Sequence, residues 1–217
     1  MADVSAPDEP TLIHDLADLP WTLMRSFAAE APSPALDPYL DAVAAVLERQ
    51  GWSKTTIPDI ARLMGVSRTT VYRQLGSVDS AVRLLAAREI RRLASSLPRQ
   101  VPLDNGARAI SRVLAATVSF VSSHPVVRKL IHDEPALIAA AAISAHVTLV
   151  STLRPAIVPA LEAGMAAGAL ARRNTDFVTD WLVRIGTSLV LNPPPEPVLA
   201  FVDSLILPLL EPRDAGR

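Results

Sequence analysis

Between residues 67 and 75 the chain sets two guanidinium groups, Arg68 and Arg73, beside the hydroxyls of Thr69 and Thr70 and the amide of Gln74. In a helix these occupy the outer positions, while Val71, Tyr72 and Leu75 form an inner or flanking stripe. Such groups recognise rather than react. An Arg fork can bridge O6 and N7 of a guanine, and a hydroxyl can bond a phosphate oxygen. The chemistry on offer is that of reading DNA.

Bond-making chemistry has no comparable support. The four histidines, His14, His124, His132 and His146, have no spacing that sets two of them with a carboxylate on one helical face, apart from His132 beside Asp133 and Glu134. No metal site or cofactor is expected. A glycine-rich phosphate loop, a G-x-S-x-G turn and a Ser-His-Asp order with supporting context are all missing, so the chain does not read as an enzyme. Gly164 and Gly168, in EAGMAAGAL, read as helix termination.

The elements that must carry the outer face are short. Thr56 is placed to cap a helix starting near Ile57, with Asp59 three positions on completing a capping box and Pro58 tolerated in the first turn. Ile60, Ala61 and Met64 share a face, and Gly65 follows where a left-handed residue ends the helix at low steric cost. Val66 plugs inward and Ser67 caps the second helix. Two helices over a glycine-containing turn, the second polar on its free side, match a helix-turn-helix.

Length and composition set the frame. A chain of 217 residues can bury a substantial core, and with 4% aromatic residues that core is mainly Ala, Leu and Val. Helix formers dominate and no stretch alternates with period two, so the expected class is all-α. The absence of cysteine fits a reducing cytoplasm, and the acidic start MADVSAPDEP lacks the features of a secretory signal. Residues 135 to 153 are uncharged over nearly a membrane-span length, yet their Ala-rich make-up with His146 reads as a buried helix of a soluble body.

Charge is unevenly distributed. Residues 1 to 37 hold one Arg and seven acids, whereas residues 38 to 97 hold nine basic residues against five acids. The positive third surrounds the proposed reader, which suits a phosphate backbone.

Three regions follow: an acidic, partly disordered extension over 1–37, a helix-turn-helix domain over 38–85 whose linking helix continues to about 97, and a helical regulatory and dimerisation domain over 98–217. The extension also carries Leu12, Ile13, Leu16, Leu19, Trp21, Leu23, Met24 and Phe27, which could dock as short amphipathic helices or mask the basic surface. Residues 38 to 50 form a buttressing helix stopped by Gly51, with Trp52 as an anchor. Ser77 caps a helix to Leu97, ended by Pro98, whose Arg83, Arg88, Arg91 and Arg92 read as a solvated face. Further helices are expected over 104–123, 126–133, 135–153, 157–167, 176–191 and 196–210, separated mostly by proline.

This order of features resembles the TetR family of transcriptional regulators. The family's T-x-x-x-I-A-x-x-x-G-V-S-x-x-T-x-Y-x-x-F stands here as Thr56, Ile60, Ala61, Gly65, Val66, Ser67, Thr70, Tyr72 and Leu75, over a match of roughly residues 39 to 85. The resemblance implies a homodimer that puts paired recognition helices into successive major grooves. Thr70 and Tyr72 would then contact phosphates, Arg68, Thr69 and Arg73 would lie near base edges, and Lys54 and Thr56 would flank them. Two positions depart from the pattern. Leu75 replaces the usual aromatic, and Val78 stands where the family usually has a phosphate-approaching Lys, a loss that Arg83 or Lys54 could offset.

The resemblance also implies dimerisation through residues 176–191 and 196–210, where Trp181, Ile185, Leu189, Val198, Phe201, Leu205 and Leu209 are apolar. It implies an effector cavity as well. Phe120, Leu137, Val147, Val150, Trp181 and Ile185 could line it, with Thr117, His146 and Arg184 as polar groups. The leading expectation is a repressor released from its operator by a small, largely apolar molecule. The alternatives are a DNA binder of the same fold without such a ligand, or an enzyme or carrier that retains the reader.

Overall fold

The computed structural model of the chain describes residues 32–100, 106–195 and 197–212, and of residues 94–100 and 156 the backbone only. The apolar positions from Leu12 to Phe27 lie outside the described residues. Among the described residues there are helices and no strand.

A 3-10 turn, Pro34–Leu36, leads into α1 (Asp37–Gln50), α2 (Ile57–Met64), α3 (Arg68–Leu75) and α4 (Val78–Gln100). The body follows as α5 (Ala107–Ser123), α6 (Pro125–Asp133), α7 (Pro135–Ala166), α8 (Thr175–Leu191) and α9 (Val198–Leu210). Two separate apolar cores result. One joins Leu40, Val43 and Leu47 of α1 to Ile60, Val71, Leu75, Ala81 and Leu85 of the next three helices. The other joins Ala107, Ile110 and Val118 of α5 to Ile157 and Leu161 of α7, Val178 of α8 and Val202, Ile206 and Leu210 of α9.

The border between them differs from the simple partition in sequence. Val126 and Leu130 of α6 are buried in the first core, and Ile138 at the start of α7 packs against it. The reader is thus completed by residues from beyond position 98.

Several expected helices change extent. Helix α4 continues past Pro98 to Gln100. The stretches expected as separate helices around Pro155 form one 32-residue helix, with Pro155 and Pro159 inside it. Each proline removes a single backbone donor, and at a spacing of four the two losses fall on one face. Burial of Ile157, Ala160 and Leu161 holds the helix line on the body side.

The first half of α7 is not buried as expected. Ile143 is 78% exposed and Val147 76%, because this half packs mainly along α8 and leaves its opposite face open. Length and mean hydropathy of 1.9 over Pro135–Pro155 would allow a membrane crossing. Polar ties from His146 and Arg154 to Asp180 and Asp176 instead bind this helix to α8.

The basic residues of α4 form a solvated face only in part, at Arg83 and Arg92. Arg88 is only 1% exposed, with its guanidinium bonded to Asp41 at 2.7 Å, to the Asp37 carbonyl at 3.1 Å and to Glu89. Arg91 reaches the Pro32 carbonyl and Asp37, and Arg92 reaches Glu89 and Asp41. Together they fasten α4 to the start of α1, while Arg83 and Arg92 keep exposed side chains, Arg83 on an open cleft.

Candidate nucleic-acid interface

Local chemistry builds the reader one turn at a time. Thr56 opens α2 in an extended conformation, but its side chain makes no backbone cap. Its hydroxyl goes to Asp59 Oδ2 at 2.5 Å, a different use of the pair from the expected capping box. The Asp59 carboxylate also accepts from Gln50 Nε2 at 3.1 Å and from Arg62 at 2.9 Å. These bonds, Thr56 first, then Gln50 and Arg62, hold its carboxyl below the usual range. Asp59 thereby ties the end of α1 to the start of α2.

The turn between α2 and α3 obeys the glycine logic. Gly65 takes φ +67°, and Val66 donates to the Ala61 carbonyl at 3.1 Å, closing the helix end. Ser67 then caps α3 by accepting from Thr70 N–H at 3.1 Å, and its hydroxyl lies 2.8 Å from that of Thr70. So Thr70 is held at the head of the helix by the residue that starts it.

Burial orients α3. Val71 and Leu75 are sealed in the first core, while Arg68, Thr69, Arg73 and Gln74 are exposed and Thr70 is partly so. Tyr72, on the flank, is 56% exposed, which leaves its ring and hydroxyl available at the surface. Lys54 and Thr56 are exposed on the approach to α2, and the Lys54 carbonyl accepts from Gln50 at 2.9 Å. The residues predicted from sequence are therefore brought onto one module. Val78 is partly buried against the reader's core, where an apolar side chain has a packing role. Arg83 stands on an open cleft of about 590 Å³ with Trp52, Ser53, Thr55, Asp79 and Leu137.

The groups proposed to face an effector are more dispersed. Thr117 donates to the Val113 carbonyl at 2.8 Å within its own helix, and Phe120 packs with Leu93 of α4. Trp181 and Ile185 lie partly buried against the body core, and Val150 is half-buried. His146 Nε2 and Arg184 Nε both meet Asp180, at 2.9 and 2.5 Å, so the carboxylate joins them across α7 and α8. Arg184 first and then His146 hold the Asp180 carboxyl low. Val147 faces outward and Leu137 lines the cleft beside the reader, so neither lines an interior space. Among the described residues no cluster suited to a metal ion occurs.

At the far end of the body, Leu189 and Val198 are buried within the protomer rather than available to a partner. The apolar side chains that do face outward are Phe177 on α8 and Leu199 and Phe201 on α9.

Three residues tie elements together in a way that the sequence did not assign to them. Asp180 could have been found from its spacing of four before Arg184, a common helical ion pair. Arg88 gave no signal, since only its turn on the helix separates it from Arg92. Glu134, which reaches the turn between α1 and α2, pairs across 81 and 82 residues and leaves no local trace.

Residues 40–77 match the family described as bacterial regulatory proteins, tetR family. The regulator AlkX of Mycobacterium tuberculosis, described as an HTH-type transcriptional regulator, is 34% identical over 79 residues, which is 36% of this chain and 37% of that protein. The solved TetR family repressor AlkX of a Dietzia strain, implicated in biodegradation of n-alkanes, superposes with a TM-score of 0.54 at 23% identity, covering 80% of this chain and 94% of the other. The fatty acid degradation regulator FadR of Bacillus halodurans superposes with a TM-score of 0.58 at 15% identity, covering 80% and 93%. Those two likenesses establish the arrangement of helices. The matched segment is the two-helix module itself, so over residues 40–77 the chain is similar to the tetR family of bacterial regulatory proteins, and it spans little more than a third of the length of the curated relative.

Proposed function

We propose that the chain is a cytoplasmic, dimeric transcriptional repressor that leaves its operator when a small, largely apolar molecule binds the body. The observation that carries this reading is the outer face of α3, where Arg68, Thr69 and Arg73 stand exposed on a helix anchored by Val71 and Leu75. Thr70 and Tyr72, with Lys54 and Thr56 on the approach, supply phosphate contacts that fix the register, and the guanidinium groups read base edges.

Dimerisation is supported by the outward Phe177, Leu199 and Phe201 on α8 and α9, which a second copy would cover. Two reading heads would then have to sit about 34 Å apart, and an effector acts by favouring a state with another spacing. The apolar character of the effector is supported by the names of the similar proteins, which refer to n-alkanes and to fatty acid degradation. Candidate contacts are Phe120, Val150, Trp181 and Ile185, with Thr117, His146 and Arg184 as polar groups.

A second reading has a specific observation in its favour. The candidate polar groups already have partners within the protomer, Thr117 the Val113 carbonyl and His146 and Arg184 the Asp180 carboxylate. That suits a DNA binder of the same fold controlled by abundance or a protein partner. Mixing the repressor–DNA complex with fatty acids and n-alkanes of graded length separates the two. Release of DNA at one chain length, with a raised melting temperature of the free protein, supports the effector reading, and no response across the series supports the second.

A further inference from the structure

The turn that joins α1 to α2 holds up one side of the reader, and its backbone donors are met from outside the reader. Glu134 stands at the corner between α6 and α7, closing the first helix with its N–H on the Leu130 carbonyl and opening the second with its own carbonyl on Ile138 N–H. From that corner its carboxylate accepts from Trp52 N–H at 2.5 Å, from Ser53 N–H at 3.0 Å and from the Ser53 hydroxyl. Four groups in three residues make a clasp across the chain.

The turn is shaped to receive it. Gly51 has φ +80°, and a Cβ added there would run into the Glu134 carboxylate. So the glycine that ends α1 also opens the space that the carboxylate enters. The Ser53 bonds, with help from the Trp52 amide, hold the Glu134 carboxyl below its ordinary range against burial and the nearby Asp133. It is therefore a charged acceptor at neutral pH, the stronger kind.

What the clasp joins is the second half of the argument. Helix α7 begins at Pro135, immediately after Glu134, and runs to Ala166. Its far half, at Ile157, Ala160 and Leu161, is part of the body's core, while Val126, Leu130 and Ile138 on either side of the corner belong to the reader's core. Along its contour a helix of 32 residues runs roughly 48 Å at 1.5 Å per residue. It is a lever with one end in the body and the other on the reader's turn.

We propose that Glu134 is the positioning residue that seats the DNA reader on the helical body, so that the direction of α7 sets where α3 points. This rests on the DNA-binding reading above and names its regulation. None of Trp52, Ser53 and Glu134 is among the residues proposed above to touch DNA, which separates positioning from recognition.

The chain has no cysteine, so a pair introduced at exposed sites, Glu48→Cys in the reader and Arg172→Cys in the body, can be spin-labelled without background. In the full chain the label-to-label distance distribution is expected to be narrow. Glu134→Ala should broaden or shift it, Ser53→Ala should do so less, and Glu134→Gln should fall between, with helix content by circular dichroism unchanged in all three. In parallel, binding is measured to a palindromic duplex selected from a random pool and to a single half-site cut from it. Glu134→Ala should weaken the palindrome about tenfold, the usual worth of a charge-assisted bond, and leave the half-site within about twofold. A distance distribution unchanged in Glu134→Ala, or equal losses on both duplexes, would overturn the proposal. Wild-type protein that selects no duplex would count against the DNA-binding reading, while the distance measurement would still judge the clasp.

Discussion

Arg88 Nη1 lies 2.7 Å from Asp41 Oδ1, with the guanidinium buried and the carboxylate 63% exposed. The pair is unequal, and its two halves should respond differently to removal. Arg88→Ala leaves Glu89 and the Asp37 carbonyl without their shared donor and opens a cavity beside α1, so a loss of about 3 kcal/mol in urea unfolding is expected. Asp41→Ala removes a screened partner and should cost less than about 1 kcal/mol. Equal losses would contradict the assignment of Arg88 as the staple.

Acid should loosen the reader in a defined window. The carboxyls of Asp59 and Glu134 are both held below their ordinary values of 3.8 and 4.5. Because the folded values are the lower ones, their stabilisation is complete above those ordinary values and fades as pH falls through the folded ones. Melting temperature followed from pH 6 down to about pH 3 should drop more steeply for the wild type than for an Asp59→Asn, Glu134→Gln double variant. Parallel curves would refute this linkage.

Val78 gives a gain-of-function prediction. Val78→Lys restores a charge at the head of α4, and if it reaches phosphate the slope of log affinity against log salt should steepen by about one. Since Val78 packs against the reader's core, a small loss of stability should accompany the change. An unaltered slope would mean that Arg83 and Lys54 already fill that role or that DNA passes elsewhere.

The proposed dimer surface can be tested by charge. Phe201→Glu places a carboxylate among outward apolar side chains of α9, and sedimentation should show it monomeric at concentrations where the wild type is a dimer. A wild-type protein that is itself monomeric at micromolar concentration would remove the premise.

The reader was the most legible part of the chain because its signals are local. Gly65 at a helix end, Ser67 at a helix start and the Val71 and Leu75 spacing each act within a few residues, and the structure keeps all three. Thr56 shows the limit of such signals, since its hydroxyl prefers the Asp59 carboxylate to a backbone donor. Prolines misled at Pro98 and Pro155, past which the helices run on, at Pro155 because the packing of Ile157, Ala160 and Leu161 outweighs one missing donor. Exposure of the first half of α7 was hidden as well, because an uncharged Ala-rich run reads as core whether or not anything covers it. Arg88 and Glu134 owe their roles to partners 47 and 82 residues away, which no periodicity records.

The central claim is that the outer face of α3 reads DNA, and quantitative footprinting of the full chain on a duplex selected from a random pool tests it most directly. The account predicts a protected palindrome with half-sites one helical turn apart. Arg68→Ala or Arg73→Ala should lose about 1–3 kcal/mol and relax base preference, and Tyr72→Phe should weaken all sequences alike. Protection unchanged by the Arg68 and Arg73 substitutions, or no protected duplex at all, would contradict it.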